Sequence, residues 1–215
     1  MSDVLTATDG RIIGERAAAT RRRLLDATVR LMNTEGLLDL KVVDITREAG
    51  AAPATFYQYF ADLDSAILAL ADDATEDERP LAEMLDEPWS SVDDWPRARA
   101  FVDAYSVYWA DHQRVVALRN LRADEGEASF RNARVRADLL IIRKMADMVR
   151  ASQAADRLPA MLDPFATAAG MRAMTDRLFQ HESSIRLRGT TREGLRNTIA
   201  AILFHTLSGI APPPT

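Results

Sequence analysis

Residues 42–60, VVDITREAGAAPATFYQYF, contain two short apolar-patterned segments on either side of a glycine. In the first segment Val42, Ile45 and Ala49 fall on one side of a helix, because residues three or four apart share a helical face. Gly50 then suits a tight turn. The stretch therefore predicts a short helix from Val42 to Ala49 that ends in a sharp change of direction.

The second segment predicts another short helix that starts at Pro53. Proline fits the first helical position, because the N–H that it lacks has no partner there. Phe56 and Phe60 then point the same way, one turn apart. Tyr57 and Tyr59 lie off that stripe, so we expect both tyrosines to face away from the core.

Helical periodicity continues on both sides of this stretch, and no segment alternates apolar and polar residues as a strand would. The expected further helices are one before Gly36, one from Leu63 that Pro80 and Pro88 interrupt, one with Phe101, Tyr105, Tyr108 and Trp109 on a face, and three at about Glu127–Ser152, Phe165–Leu187 and Thr191–Ser208. A Thr190-x-x-Glu193 capping box is expected to open the last helix. The sequence thus predicts an all-α fold.

Composition excludes several classes of protein. The chain has 215 residues, a net charge of −5 and no cysteine, which rules out disulfides, thiolate metal sites and cysteine nucleophiles. No paired carboxylates at metal-binding spacing, nucleophile elbow or phosphate loop indicates an enzyme, and His112, His181 and His205 are too scattered to predict a metal site. We expect a soluble, cytoplasmic protein that needs no cofactor and does not associate with membranes.

Charge is distributed unevenly along the chain. Residues 11–30 include only two acidic residues, Glu15 and Asp26, but six arginines: Arg11, Arg16, Arg21, Arg22, Arg23 and Arg30. Residues 62–94, in contrast, are dense in acids. The basic end can face phosphates, and we hypothesise that Arg21–Arg23 and the segment before them extend along a DNA backbone or into its minor groove.

Two short helices joined by a tight turn and supported by a longer helix form a helix-turn-helix, whose second helix enters the major groove of DNA. The residues from Arg21 to Leu68 offer this geometry. They resemble the signature of the TetR family of transcriptional regulators. The resemblance rests on Gly36-Leu37, Val42-Val43-Asp44-Ile45-Thr46, Ala49-Gly50-Ala51-Ala52 and Thr55-Phe56-Tyr57-Gln58-Tyr59-Phe60.

The resemblance implies roles for individual residues. Thr55, Tyr57 and Tyr59 would touch phosphates, Pro53, Ala54 and Gln58 would lie against bases, and Arg47 would also reach the DNA. Lys41, Val43 and Leu63 replace the threonine, arginine and lysine that are common in the family. Lys41 can still supply charge to a phosphate, and Val43 can contact a thymine methyl.

The rest of the chain has no local motif, so its role is inferred from the resemblance. The resemblance implies a helical domain with a ligand cavity and a dimer face, and about nine helices in all. Tyr105, Trp109, Met145 and Met174 are the candidate lining residues, and their apolar character suits a lipophilic effector. The last two helices would form a four-helix interface in a homodimer, which predicts a palindromic double-stranded operator.

These expectations divide the chain into a flexible basic arm (1–20), a helix-turn-helix domain (21–68), a ligand-binding and dimerisation domain (69–210) and a tail (211–215). The function that they favour is a repressor released from DNA by a small ligand. Alternatives are an activator, a ligand-independent DNA-binding protein, and a helical adaptor without DNA affinity, which the replacements at Val43 and Leu63 keep open.

Overall fold

The computed structural model describes residues 14–34 and 40–214. Within them all regular structure is helical, as the sequence predicts. The elements are α1 (Glu15–Thr34), α2 (Val42–Glu48), α3 (Pro53–Tyr59), α4 (Leu63–Glu83), a 3-10 helix (Val92–Asp94), α5 (Trp95–Asp124), α6 (Ala128–Ala154), α7 (Pro164–Gln180), α8 (Glu182–Arg186) and α9 (Arg192–Ser208). Arg11, Gly36, Leu37 and Thr215, which figure in the expectations above, lie outside the described residues.

Side chains cap the starts of several helices, among them α4 and α9. At α4 the Ser65 N–H donates to Asp62 Oδ1 at 2.7 Å and the Asp62 N–H donates to Ser65 Oγ at 3.1 Å, so two backbone donors are satisfied reciprocally. At α9 the Gly194 N–H donates to Thr191 Oγ1 at 2.9 Å. The predicted capping box that begins at Thr190 is therefore wrong by one residue, because Thr191 has the extended backbone of the N-cap.

Several predicted helix boundaries also differ from the structure. α4 continues through Pro80, where the sequence predicts an interruption; the residues after Pro80, Leu81 and Ala82, are buried and hold the helix in place. The single helix expected over 165–187 is two helices that meet at His181. Residues 15–20, expected in a flexible arm, belong to α1.

The described residues form two compact units. One comprises the described residues up to Ala74 together with Arg114–Arg134, and the other comprises Thr75–Gln113 and the chain from Val135 onward. Helices α4, α5 and α6 each contribute to both units. The expected domain boundary at residues 68 and 69 falls inside α4.

The first unit has an apolar core drawn from α1 to α6. Its buried residues include Leu24, Leu25 and Met32 of α1, Ile45 of α2, Phe56 of α3, Ile67 of α4, Val115 and Leu118 of α5, and Phe130 of α6. The segments of α5 and α6 were not expected here, because their apolar periodicity does not indicate which partner it packs against. The helix-turn-helix therefore rests on a core larger than residues 21–68.

Gly50 and Gly209 both adopt left-handed backbone conformations but differ in their surroundings. Gly50, in the turn between α2 and α3, has φ of 64° and open space around a hypothetical Cβ. Gly209, at the end of α9, has φ of 73°, and a Cβ there would lie 2.4 Å from the Arg157 carbonyl oxygen. A side chain at Gly209 is thus opposed by both backbone strain and steric overlap.

We expect Gly50→Ala to lower the free energy of unfolding by about 1–2 kcal/mol, the cost of the left-handed backbone alone. Gly209→Ala should cost more, about 2–3 kcal/mol, because Arg157 must also shift. Urea unfolding followed by circular dichroism, at one protein concentration for all variants, measures both. Equal losses for the two variants would contradict the role of the Arg157 contact.

Candidate nucleic-acid interface and ligand region

Helix α3 has one buried and one exposed face. Phe56 is fully buried and its ring lies 5.3 Å from that of Phe60, as the spacing predicts. On the other side Pro53, Ala54 and Gln58 are exposed, and 53% of Tyr57 is accessible. Phe56 and Phe60 pack into the core on the buried side of α3. The exposed face of the helix is therefore held in a fixed orientation.

Tyr59 departs from its predicted position. It is half-buried and packs against the core of the first unit, whereas the sequence analysis placed it away from that core. The reason is its spacing: Tyr59 follows Phe56 by three residues and so shares part of the same helical face. Thr55 is also half-buried. Of the three residues expected to touch phosphates, only Tyr57 is largely exposed.

Helix α2 exposes the other candidate contact residues. Lys41 occupies the N-cap, and its side chain makes no capping hydrogen bond. Val43 is 48% exposed, and Arg47 projects one turn further along and pairs with Asp44 at 2.8 Å. Buried Ile45 lies on the opposite side. All nine candidate contacts therefore lie on α2, α3 or the residue before α2, with seven of them exposed.

Most of the arginines on α1 are engaged within the first unit. Arg22 pairs with Asp26 at 2.9 Å and with Asp73 at 3.6 Å. The Arg21 guanidinium lies 5.3 Å from the centre of the Phe60 ring, and Arg30 pairs with Glu48 at 2.7 Å, which ties α1 to α2. Arg21 and Arg22 therefore have different surroundings in the structure. The hypothesis of one basic arm formed by Arg21–Arg23 treats them as equivalent.

The four candidate ligand-lining residues lie in the second unit. Tyr105 and Trp109 share α5, Met145 is on α6 and Met174 is on α7. The first three are buried and Met174 is half-buried. Tyr105 makes ring contacts with Phe101, Tyr108 and Phe179, at centroid distances of 5.7–5.9 Å, rather than with the other candidates.

Tyr105 also belongs to a buried polar cluster. Its hydroxyl donates to Asp176, and the Arg172 guanidinium lies 5.2 Å from the centre of its ring. Arg172 in turn donates to Glu78 and lies 3.3 Å from Asp176. The Glu78 side chain is 0% exposed and that of Arg172 is 4% exposed. We call Glu78, Tyr105, Arg172 and Asp176 the buried polar cluster.

The ionisation of this cluster follows from its burial. Burial raises the pKa of the Tyr105 phenol well above its usual value, although the charge of Arg172 acts in the opposite direction. Burial also acts to lower the pKa of Arg172, but Tyr105, Asp176 and Glu78 together raise it well above the usual range. Tyr105 therefore stays protonated and Arg172 stays charged at neutral pH, so both remain hydrogen-bond donors.

The sequence carries a signal for this cluster in the periodicity of α4 and α7. The apolar face of α4 includes Ile67, Leu70, Ala74 and Leu81. Glu78 lies on the same face, between Ala74 and Leu81. On α7 the buried positions are Ala168, Arg172, Thr175 and Phe179, so Arg172 likewise interrupts a buried face. A charged residue at an apolar position of each helix indicates a buried ion pair.

Comparison with known proteins agrees with the arrangement of the helices. Residues 81–214 match the family described as "Tetracyclin repressor-like, C-terminal domain". Residues 24–65 match the family described as "Bacterial regulatory proteins, tetR family". The chain belongs to the TetR family. The N-terminal TetR match contains all nine candidate DNA contacts, and the C-terminal match contains the four candidate lining residues.

Individual relatives of this TetR-family chain match a smaller part of it. The HTH-type transcriptional regulator BetI of Brucella anthropi is 45% identical over 49 residues, 23% of this chain and 25% of that protein. An uncharacterized HTH-type transcriptional regulator of Haemophilus influenzae is 39% identical over 56 residues, 26% of this chain and 27% of that protein. The chain thus spans about a quarter of the length of these curated relatives.

Solved structures share the TetR fold over most of the chain. A protein of unknown function from Rhodococcus sp. RHA1 superposes with a TM-score of 0.65 at 20% identity, covering 88% of this chain and 95% of that one. FadR from Bacillus subtilis, solved in complex with stearoyl-CoA, gives a TM-score of 0.65 at 14% identity, covering 88% and 98%. At these identities the likeness establishes the fold.

Two features are absent from the described residues of this TetR-family chain. No helix among residues 14–34 and 40–214 is long and apolar enough to span a membrane. The same residues contain no group of three histidine, aspartate or glutamate side chains placed to hold a metal ion.

Proposed function

We propose that this protein is a transcriptional repressor that binds a palindromic operator as a homodimer and is released by a small, lipophilic effector. The observation that carries the proposal is the exposed face of α3, which presents Tyr57 and Gln58 opposite the buried Phe56. Glutamine can pair with the N6 and N7 edge of adenine, and a tyrosine hydroxyl can position a phosphate. The protein would act in the cytoplasm, on chromosomal DNA, and would catalyse no reaction.

Partly exposed apolar residues on the last helices support the homodimer. On α7 Met171, Met174 and Leu178 are half-exposed, and on α9 Ile202 is 36% exposed. We expect two copies of these faces to form a four-helix interface about a two-fold axis. Leu195, Ile199 and Leu203 of α9 are buried within this chain, so the interface would use other positions of α9, such as Ile202.

The effector would bind in the second unit, which is rich in buried aromatic side chains. Tyr105 and Trp109 on α5 are the candidate contacts there, with Met145 and Met174 on the neighbouring helices. FadR of Bacillus subtilis, which shares the fold, was solved with stearoyl-CoA bound, and this supports a ligand with a long apolar part. Effector binding would favour a spacing of the two α3 helices that no longer fits one turn of DNA.

The test is selection of bound fragments from genomic DNA, followed by footprinting with and without a lipid extract of cells. We expect a palindromic footprint that the extract removes. We also expect Gln58→Ala to weaken operator binding about 5- to 150-fold, the range for losing one specific base contact of about 1–3 kcal/mol. Gln113→Ala, at an exposed glutamine of α5, is the matched control and should leave binding unchanged.

Each alternative gives a different result in the same experiment. A footprint that persists in the presence of the extract would indicate a protein that binds DNA independently of a ligand. A footprint upstream of a promoter whose transcription rises would indicate an activator. Retention of no DNA by the wild-type chain would overturn the proposal and favour the adaptor.

A further inference from the structure

We propose that Arg119, in the C-terminal half of α5, binds a small oxyanion, either a phosphate or a carboxylate. Arg119 is one of the largest fully buried side chains of the protein, with 2% of its surface accessible. It belongs to the first unit, whereas the candidate effector contacts lie in the second, and it lies on a different helix from the candidate DNA contacts. The site is therefore additional to both.

The Arg119 guanidinium uses few of its hydrogen-bond donors. Its Nε donates to Asn120 Oδ1 at 3.1 Å, and neither Nη atom donates to any of the described residues. Arginine carries five N–H donors in a planar fork, so most of those of Arg119 remain available. Because the Asn120 amide is neutral, this hydrogen bond orients the guanidinium without cancelling its charge.

The acidic side chains nearest in sequence pair with another arginine. Arg122 lies 3.5 Å from Asp64, 3.7 Å from Glu125 and 3.1 Å from Glu127. Within residues 14–34 and 40–214, no carboxylate lies within ion-pair distance of Arg119. The buried positive charge of Arg119 is thus left without a negative partner from this part of the chain.

The other deeply buried arginine, Arg172, is compensated. It is 3% exposed, and it meets both Glu78 and Asp176. Removal of a charge from water is costly, and buried charges in proteins are therefore paired. Arg119 is as deeply buried as Arg172 but has no carboxylate beside it. An anion that is not part of the described chain would supply the missing charge.

The geometry of the guanidinium favours an oxyanion. A guanidinium donates two parallel hydrogen bonds to the paired oxygens of a phosphate or a carboxylate, whereas a spherical ion cannot use both donors in this way. Neither Nη atom of Arg119 is fully enclosed, so both reach the small accessible part of the side chain. An anion can therefore approach this edge without opening the core.

The position of Arg119 connects the bound anion to the stability of the first unit. Leu118, the residue before it, and Ala123, one turn further along α5, pack in the same core as Phe56 of α3. A ligand that binds only the folded state stabilises that state. The concentration of the anion would therefore set the stability of the unit that carries α2 and α3.

The test is thermal unfolding of the wild type, Arg119→Met and Arg114→Met in sodium phosphate, sodium acetate and sodium chloride, at one pH and one ionic strength. Arg114 is an exposed arginine of the same helix and unit, and is the matched control. At ten times its dissociation constant an anion should raise Tm by about 3–6 °C. Relative to chloride, we expect phosphate or acetate to raise Tm saturably for the wild type and Arg114→Met, but not for Arg119→Met.

The two arms of this test identify the anion. A rise in phosphate alone indicates a phosphorylated ligand, and a rise in acetate indicates a carboxylic acid. Arg119→Met should also be at least as stable as the wild type in chloride, because an apolar side chain there needs no counter-ion. An equal rise for Arg119→Met would reflect the general exclusion of such salts from protein surfaces and would overturn the inference.

A second measurement needs no variant that could fail to fold. In the nuclear magnetic resonance spectrum of the wild type, the Arg119 Nε–H signal is followed while phosphate or acetate is added. We expect one of the two anions to shift this signal saturably and to leave the Arg114 signal in place. If neither anion moves it, water alone solvates Arg119 and the inference is wrong. No step of either measurement involves DNA, so the outcome is independent of the function proposed above.

Discussion

Arg172→Ala is expected to lower the free energy of unfolding of the second unit by about 3–5 kcal/mol, the range for removing one partner of a buried ion pair. The side chain of Glu78 is 0% exposed, so the variant would leave a carboxylate in the interior without the guanidinium that compensates it. The variant would also remove the positive charge that faces Asp176 and the Tyr105 ring. Urea unfolding of purified protein measures the loss.

Two controls separate the effect of burial from that of charge. Lys144→Ala breaks the ion pair with Asp86, whose partners are 41% and 52% exposed, and should cost less than about 1 kcal/mol. Glu78→Leu/Arg172→Met replaces both buried charges with apolar side chains and should recover most of the loss. A loss for Arg172→Ala no larger than that for Lys144→Ala would show that the cluster is hydrated and not buried.

The same cluster shows why part of the structure could not be predicted from the sequence. Glu78 and Arg172 are 94 residues apart, and neither side chain has a neighbour in sequence that identifies the other. Periodicity indicates that a position is buried but not what lies opposite it. For that reason Glu78 was counted with the acidic segment, and α4 was expected to stop at Pro80.

The helix-turn-helix was more predictable because its information is local. The spacing of Val42, Ile45, Gly50, Phe56 and Phe60 fixes two helices, a turn and a buried face, and the structure has all of them. The exceptions concern residues whose surroundings come from elsewhere in the chain. Tyr59 lies in a groove with α1, and the core beneath α3 includes Phe130 of α6, which no pattern within residues 42–60 indicates.

Phe56→Ala is the second change for which we expect a large effect, a loss of about 3–5 kcal/mol in the free energy of unfolding of the first unit. Phe56 is fully buried, packs against Phe60 and lies in the same core as Ile45 and Leu24. Truncation leaves a cavity directly below the exposed face of α3. Amide hydrogen exchange should therefore accelerate in α2 and α3. The variant should also lose its binding to operator DNA and to scrambled DNA.

Tyr57→Ala distinguishes support of the interface from contact with DNA. Tyr57 adjoins Phe56 on α3 but is 53% exposed, so its removal should change the free energy of unfolding by less than about 1 kcal/mol while DNA binding still weakens. Phe56→Leu, which keeps most of the buried volume, should retain binding at a cost below about 1.5 kcal/mol. If Phe56→Ala keeps its protection from hydrogen exchange but no longer binds DNA, Phe56 contacts the DNA directly. The buried face assigned to α3 would then be wrong.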